Sequence, residues 1–220
     1  TVNALYYCVD GKVRDYCNGL KDIQQRQIRM IGEPDLRYRE DPVRMLRAVR
    51  LAAKLSFTLE KHTAAPITRL APLLHDISNA RLFDEMLKLL MAGAALKTFE
   101  LLLEYHLFQV LFPGPARLYA PGNYSDQLFR RAMLNTDERI RKDLRVTPAF
   151  LYAAFLWPAV QQQKQHAEQD GTPPYQALQR AAQKVISEQV KRIGIPKRFS
   201  VPMQEIWEMQ FQLDRRQGER

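Results

Sequence analysis

The sequence carries no convincing strand pattern after Gly32-Glu33-Pro34, and this limits the chain to a mainly α fold. Apolar residues recur there at helical spacing, and start and stop signals divide the chain into segments. Asp41-Pro42 opens a helix that runs to about Leu55, with proline at the first helical position. Ser78 caps another helix, which stops at Gly93.

The remaining helix signals extend to the C-terminus. They are a Leu-rich segment at 94–106, Ser125 before a short helix, Thr147-Pro148 before an apolar helix, Thr172-Pro173-Pro174 before a helix closed by Gly194, and Ser200 with Pro202 before the last helix. Pro158 falls inside the apolar helix, where proline removes a hydrogen bond and clashes with the preceding turn. We therefore expect that helix to kink or end at Pro158.

The first 32 residues differ from the rest because they are β-prone. Residues 4–9 are followed by Asp10-Gly11, a pair typical of two-residue type I′ hairpin turns, and residues 12–16 form the returning strand. A two-stranded hairpin is marginally stable at best by itself. We therefore expect this hairpin to belong to a larger sheet, whose other strands precede the chain.

The chain is basic, with 33 Lys and Arg residues against 24 Asp and Glu residues and a net charge of +9. Such a surplus predicts a polyanionic partner, most often nucleic acid, although a basic surface without that role is the alternative. No apolar run approaches the roughly 18 residues that span a bilayer. Cys8 and Cys17 do not form a zinc pattern and no signal peptide is visible, so we expect free thiols and a cytoplasmic location.

Residues 37–55 carry the most informative pattern. On a helix at about 100° per residue, this segment separates a basic face, a core face and an apolar stripe headed by an arginine. The three sets are Arg47, Arg50 and Lys54; Met45, Leu46, Val49 and Ala53; and Arg44 with Ala48, Leu51 and Leu55. The guanidinium of Arg44 therefore has restricted access to solvent and needs a partner.

Two interpretations of Arg44 are open at this point. In the first, Arg44 forms a helix ion pair with Glu40, four residues earlier. In the second, Asp41 and Arg44 present an acceptor beside a donor, which matches the Watson–Crick edges of adenine and cytosine. Guanine and uracil would leave polar groups unpaired there, at a cost of about 1–3 kcal/mol per buried group, which is enough to select a base.

The segment at 37–55 resembles the neck motif of the class II nucleotidyltransferases, the family of tRNA CCA-adding enzymes and bacterial poly(A) polymerases. Three further segments are similar to motifs of this family: Thr1–Ala4 to the end of a head-domain motif, Asp15–Asp22 to the hinge before the neck, and Asn79–Glu85 to a body motif. The resemblance implies three regions: a remnant of the α/β head at 1–32, a base-recognising neck at 33–113 and an RNA-binding helical body at 114–220.

The resemblance also implies roles for single residues. The family selects the incoming base with a Glu-Asp-x-x-Arg element, which matches Glu40, Asp41 and Arg44. Asp41 and Arg44 would then read adenine, and Glu40 would orient Arg44. The other implied residues are Arg37 and Arg39 at the triphosphate or RNA, and Arg47, Arg81 and Glu85 in support of the base-reading helix. Independently of the resemblance, the basic residues Arg198, Arg215 and Arg216 near the C-terminus are predicted to bind RNA.

Segments at 104–113, 145–157, 195–199 and 215–220 resemble the poly(A) polymerase branch of the family. The resemblance therefore implies a template-independent polymerase that adds AMP from ATP to RNA 3′ ends, with ATP and RNA as partners and RNA-turnover proteins as further candidates. A CCA-adding tRNA nucleotidyltransferase and a non-catalytic helical RNA-binding module are the alternatives.

The catalytic motif of the family does not occur in this sequence. Its members carry a Gly-Ser loop and an Asp-x-Asp pair that bind two Mg²⁺ ions, and the chain has neither. Its four histidines are scattered without metal-ligand spacing. We expect no catalytic residue and no metal in this chain, with Mg²⁺ bound only by the full-length enzyme.

Overall fold

Helices form most of residues 2–218, which this computed structural model describes, with side chains described up to Arg216. The N-terminal half contains α1 (Gly19–Gln24), α2 (Pro34–Glu40), α3 (Val43–Leu55), α4 (Lys61–Ala64), α5 (Ile67–Leu70), α6 (Asn79–Leu90), α7 (Ala95–Glu104), α8 (Leu107–Leu111) and α9 (Pro113–Arg117), with a 3-10 turn at Ala71–Asp76. The C-terminal half contains four long helices, α10 (Tyr124–Arg141), α11 (Pro148–Gln169), α12 (Pro174–Arg192) and α13 (Lys197–Gly218). The expected mainly α fold is confirmed, and Thr1 of the head-domain motif lies outside the described residues.

The N-terminal hairpin forms, but its turn differs from the prediction. Strands β1 (Leu5–Tyr7) and β2 (Val13–Asp15) pair in antiparallel fashion. The Cys8 amide donates to the Lys12 carbonyl, and Gly11 has a φ of +75°. A type I′ turn needs positive φ at both central residues, whereas a three-residue loop needs it at one. The predicted two-residue turn is therefore wrong.

A second, shorter strand pair corrects the expectation that no strand follows Pro34. Strand β3 (Gln27–Ile28) pairs in parallel with β4 (Thr58–Leu59). Two residues per strand are too few to show an alternating pattern in the sequence. The pair forms because Ser56 ends α3 in the left-handed conformation and turns the chain back alongside β3.

Residues 37–55 do not form one continuous helix. Asp41 lies between α2 and α3 in an extended conformation, with φ −149° and ψ 94°. This break follows from Pro42, because a residue before proline is disfavoured in the α region. Arg37, Arg39 and Glu40 therefore lie on a different helix from Arg44, while the predicted helix from Asp41-Pro42 to Leu55 is confirmed.

Asn123, rather than Ser125, caps α10. The Asn123 side chain accepts a hydrogen bond from the Asp126 amide at 2.9 Å, and Ser125 is buried in the first turn. The helix has 18 residues instead of being short. Asn and Ser are comparable capping residues, so the sequence alone did not separate the two positions.

Two helices continue through prolines that the sequence analysis treated as boundaries. Helix α11 runs past Pro158 to Gln169, and α13 begins at Lys197, which places Pro202 inside it. Helix α11 packs against α10, α12 and α13, and its residues 151–160 are all buried. Packing of this extent offsets the hydrogen bond lost at proline, because most helical stability in proteins comes from tertiary contacts.

One hydrophobic core joins the two halves of the chain and holds α3 in place. The predicted core face of α3 is confirmed, since Met45, Leu46, Val49 and Ala53 are buried. Five phenylalanines from α7, α8, α10, α11 and the junction between α8 and α9 pack with neighbouring ring centroids 4.9–5.9 Å apart: Phe99, Phe108, Phe112, Phe129 and Phe155. The base-reading candidates therefore sit on a rigid support.

Candidate nucleotide-binding site

Arg44 lies in the first turn of α3, with its side chain 25% exposed. Its Nη1 atom donates to Oε2 of Glu40 at 2.8 Å and to the Arg37 carbonyl at 3.1 Å. The ion pair with Glu40 is thus confirmed. A guanidinium has five N–H donors, and Nε and Nη2 of Arg44 make no hydrogen bond to the described residues 2–216.

Glu40 joins the two helices of the neck motif. The same Oε2 atom that accepts from Arg44 also accepts from Nη1 of Arg37 at 2.7 Å. The hydrogen bond from Arg44, together with the charges of both arginines, lowers the pKa of Glu40 below its ordinary value. The carboxylate is therefore ionised at neutral pH and holds both guanidinium groups.

Arg37 contributes a further unused donor. Its Nε atom is buried and has no hydrogen-bond partner among the described residues. A buried donor without a partner is costly, and most such groups in proteins are satisfied. A bound anion or acceptor would supply the partner of Arg37.

Asp41 makes two hydrogen bonds from its position between the helices. Its Oδ1 atom accepts from the Val43 amide at 3.3 Å, and Oδ2 accepts from Nη2 of Arg81 at 2.9 Å. An ionised carboxylate offers about four lone-pair sites. Asp41 therefore acts as a cap at the start of α3 and retains capacity to accept another hydrogen bond.

Helix α6 braces the start of α3 from the side. Arg81 reaches Asp41, and the buried Glu85, one turn further along α6, accepts from Nη2 of Arg47 at 3.3 Å and from Lys88 at 3.1 Å. The two contacts come from residues at i and i+4, which share one face of a helix. The structure thus brings together the residues that the sequence named as supporting.

A cleft of about 240 Å³ lies beside this cluster. Its lining residues come from both sides of the neck: Val2, Asn3, Ile28, Arg29, Met30, Ile31, Arg37, Arg44, Arg47, Ala48, Leu51 and Thr63. Four guanidinium groups and an apolar wall suit a ligand that has both negative charge and a flat apolar body. Asp41, Glu40 and Arg39 are not among the lining residues.

The structure separates some of the predicted site residues from the cleft. Nε of Arg39 donates to Asp35 at 2.7 Å, away from the cleft lining. Arg198 lies over the ring of Phe199 at the start of α13, with the guanidinium carbon 5.0 Å from the ring centroid. Arg215, 17 residues further along the same helix, is about 26 Å away at 1.5 Å per residue. The three predicted RNA-binding arginines therefore do not form one site.

Arg29 is a cleft residue that no sequence pattern indicated. It lines the cleft and forms ion pairs with Asp22 at 3.2 Å and Glu60 at 3.5 Å. Arg29 follows a two-residue strand, and Glu60 follows the strand paired with it. Only the parallel pairing of those strands brings the two residues together, so no local pattern pointed to them.

No group of three or more His, Cys, Asp and Glu side chains within residues 2–216 lies close enough to hold a metal ion. None of the described helices is both long enough and apolar enough to cross a membrane.

Two family models match the chain. One, described as "Probable RNA and SrmB- binding site of polymerase A", matches residues 56–118. The other, described as "Polymerase A arginine-rich C-terminus", matches residues 170–220. The predicted domain limits at 32 and 113 remain predictions.

Named relatives point to the same family. The chain is 48% identical over 224 residues to "Poly(A) polymerase I" of Salmonella typhi, an alignment that covers 100% of the chain and 48% of that protein. It is 42% identical over 114 residues to a "CCA-adding enzyme" of Bacillus subtilis, which covers 52% of the chain and 28% of that enzyme. The chain therefore spans about half the length of the curated poly(A) polymerase relatives it matches.

Solved structures show the shared fold. "The complex structure of CCA-adding enzyme with ATP" superposes with a TM-score of 0.60 at 18% identity, covering 89% of this chain and 41% of that one. A tRNA nucleotidyltransferase complexed with a primer tRNA and an incoming ATP analog gives a TM-score of 0.53 at 25% identity, covering 66% and 42%. The fold thus resembles the helical neck and body region of the class that unites tRNA nucleotidyltransferases and poly(A) polymerases. Within that class, the chain belongs to the bacterial poly(A) polymerase family.

Proposed function

We propose that the chain is the nucleotide-selecting and RNA-binding part of a template-independent polymerase. The full enzyme would transfer AMP from ATP to an RNA 3′ end and release pyrophosphate. The observation that carries this proposal is the similarity to proteins named Poly(A) polymerase I over the whole chain, whereas the similarity to a CCA-adding enzyme covers about half of it. We also propose a cytoplasmic location for this enzyme.

Base selection would use the donors and acceptors that the neck leaves free. Nε and Nη2 of Arg44 would donate to the ring nitrogen of adenine, and Asp41 would accept from the adenine amino group. Glu40 and Arg81 support this arrangement, because each holds one of the two groups through a hydrogen bond of 2.8–2.9 Å. Side chains held this way do not have to be ordered when the nucleotide binds.

The triphosphate would lie against the arginine side of the cleft. Arg37 and Arg47 line it with Arg44, and Arg37 has a buried donor without a partner. Arginine matches phosphate oxygens with paired N–H donors, so three arginines suit a polyphosphate. Arg39 is not part of this proposal because it pairs with Asp35 outside the cleft.

We infer that the phosphoryl-transfer step is carried out by another part of the enzyme. The sequence has neither the Gly-Ser loop nor the Asp-x-Asp pair with which the family binds its catalytic Mg²⁺ ions. We expect the isolated 220-residue chain to transfer no AMP when it is incubated with ATP, Mg²⁺ and an RNA primer. Measurable Mg²⁺-dependent transfer by the purified chain would show this assignment to be wrong.

The function is tested with the full-length polymerase that carries this chain. On an oligo(A) primer of twenty nucleotides and on a tRNA lacking its CCA end, we expect long A tails with ATP and no ordered CCA addition. Addition limited to CCA would establish the alternative enzyme, and no incorporation at all would favour a non-catalytic RNA-binding module.

Arg44→Lys tests the role of the site within that enzyme. Lysine keeps the charge but cannot present the planar donors of arginine. We expect its kcat/KM for ATP to fall at least about tenfold, corresponding to about 1.4 kcal/mol of transition-state stabilisation. The matched control is Arg50→Lys, on the same helix but outside the cleft. Equal losses in both variants would count against the assignment.

A further inference from the structure

Three adjoining clefts form a groove across the body, on helices α10, α11 and α13. Their volumes are about 260, 810 and 450 Å³, and Tyr124 lines all three. Trp157 is shared by the first two, and Arg131 by the first and third. This surface, which we call the Tyr124 groove, lies apart from the neck cleft and shares none of its lining residues.

The backbone that carries the exposed ring of Tyr124 is held by the turn before it. Tyr124 is 59% exposed although it is a large aromatic residue. Asn123 caps α10 and also donates to the Leu118 carbonyl at 2.9 Å, and Asp126 accepts from the Gly122 amide at 2.9 Å. The backbone that presents the ring is thus fixed, and Tyr124 offers a ready face at the centre of the groove.

Unpaired positive charge lies on both sides of this ring. Arg131 lines the groove at one end and Arg215 at the other, and neither makes an ion pair or hydrogen bond to the described residues. Lys164 pairs with Glu168 at 2.8 Å, while Asp214 accepts from Gln210 at 2.7 Å and keeps its negative charge next to Arg215 in the chain. The two free cations therefore suit an anion that extends past the ring in both directions.

Amide side chains supply most of the remaining polar surface. The glutamines that line the groove are Gln127, Gln161, Gln162, Gln165 and Gln210. An amide is both a donor and an acceptor and carries no charge. Such groups can bind the edges of unstacked bases without repelling phosphate.

We propose that the Tyr124 groove binds single-stranded RNA, with a base stacked on Tyr124 and phosphates bound to Arg131 and Arg215. An exposed aromatic ring between cations is the arrangement by which proteins bind single strands without reading sequence. The proposal deepens the function above and rests on it for one detail, that the strand is the primer upstream of its 3′ end.

Binding of a 5′-fluorescein-labelled A20 oligonucleotide to the 220-residue chain, followed by anisotropy, tests the proposal. Stacking on one aromatic side chain predicts about a tenfold rise in Kd for Tyr124→Ala and little change for Tyr124→Phe, which keeps the ring. Tyr7→Ala is the control, because Tyr7 is exposed but lies on the hairpin. Since Tyr124 and Tyr7 are both exposed, all three variants should keep the melting temperature of the parent chain.

The charges are tested through the salt dependence of the same binding. Arg131→Gln and Arg215→Gln should each reduce the slope of log affinity against log salt by about 0.7, the value for one phosphate contact on a single strand. Arg141→Gln, at the far end of α10, should leave the slope unchanged. Unchanged Kd in Tyr124→Ala, or equal effects of groove and control variants, would overturn the proposal. In that case we would conclude that the groove binds a protein partner and not RNA.

An error in the groove proposal and an error in the proposed polymerase function would give different experimental results. In the full-length enzyme, Tyr124→Ala should raise KM for an A20 primer and leave KM for ATP unchanged. If A20 binds the groove but the full-length enzyme adds no AMP, the groove is established and the polymerase function is wrong. If AMP is added and Tyr124→Ala has no effect on primer KM or Kd, only the groove is wrong.

Discussion

At the residue scale, Arg44 uses only part of its guanidinium group within the neck. One guanidinium nitrogen is bound to Glu40 and to the Arg37 carbonyl, and its other donors make no hydrogen bond to the described residues. The ion pair expected from the i, i+4 spacing therefore exists and fixes the direction of the remaining donors. Base reading by Asp41 and Arg44 stays a prediction, because an ion pair would form with or without a nucleotide.

Asp41→Ala in the full-length polymerase tests that prediction. Without the carboxylate, Arg44 can donate to acceptors of other bases. We therefore expect the preference for ATP over UTP to fall roughly ten- to a hundredfold. This change corresponds to about 1.5–3 kcal/mol, the free energy of a hydrogen bond to a charged group. Competition between ATP and UTP, measured through incorporation rates, gives the ratio.

Arg81→Gln is the comparison variant, for which we expect a smaller fall in the ATP/UTP ratio than for Asp41→Ala. It removes the contact that Arg81 makes with Asp41 at 2.9 Å but leaves the carboxylate in place. If Asp41 is only a cap, its loss should cost about 1 kcal/mol of folding free energy and leave the ATP/UTP ratio intact. That outcome would remove Asp41 from base reading.

Asp126 provides a pH-dependent prediction at the same scale. Burial acts to raise its pKa, but hydrogen bonds from the Gly122 amide, Arg130 and Tyr119 outweigh it and hold the pKa below the ordinary value of 3.8. The carboxylate therefore stabilises the fold above pH 3.8, and this contribution is lost as the pH falls through the lower folded-state pKa.

We expect Asp126→Asn to lower the free energy of unfolding at pH 7 by about 1–3 kcal/mol, because charged hydrogen bonds are replaced by weaker ones. Urea titrations at pH 7 and pH 3 measure the difference from the parent chain, which should shrink at the lower pH. A difference of the same size at both values would show that the charge of Asp126 does not matter.

At the element scale, the position of α6 depends on the end of α12. The Gly194 amide donates to the Asn79 carbonyl at 2.8 Å, and the Asn79 side chain donates to the Val190 carbonyl at 3.2 Å. A Cβ atom at Gly194 would lie 3.1 Å from the Ala80 nitrogen. This close approach clamps the first turn of the helix that carries Arg81 toward Asp41.

Gly194→Ala should destabilise the chain by about 1–3 kcal/mol, because the added methyl group meets backbone atoms that cannot rotate away. We also expect the ATP/UTP ratio of the full-length enzyme to fall, since any shift of α6 moves Arg81. Gly114→Ala is the control: no atom lies within 4 Å of its Cβ position, so its melting temperature should not fall. Equal melting temperatures for both variants would contradict the clamp.

At the scale of the whole molecule, the net charge of +9 predicts how the chain binds RNA. Phosphate contacts release counterions, so affinity for A20 should fall roughly 20- to 50-fold between 50 and 200 mM salt if three or four phosphates are bound. Anisotropy titrations at several salt concentrations measure this slope. Binding that is independent of salt would show that the basic surface is not an RNA-binding surface.

The sequence by itself determined the helical fold, the boundaries of helices such as α3, α6 and α12, the core face of α3 and the family, because these depend on local spacing, caps and contiguous motifs. Only the tertiary structure decided where α11 and α13 continue through proline, since packing on several sides outweighs a local penalty. The same holds for the cleft position of Arg29 and for the groove around Tyr124. Both sites are formed by segments that are far apart in the chain and come into contact only on folding. The spacing of residues along the sequence does not show which of these segments will contact each other.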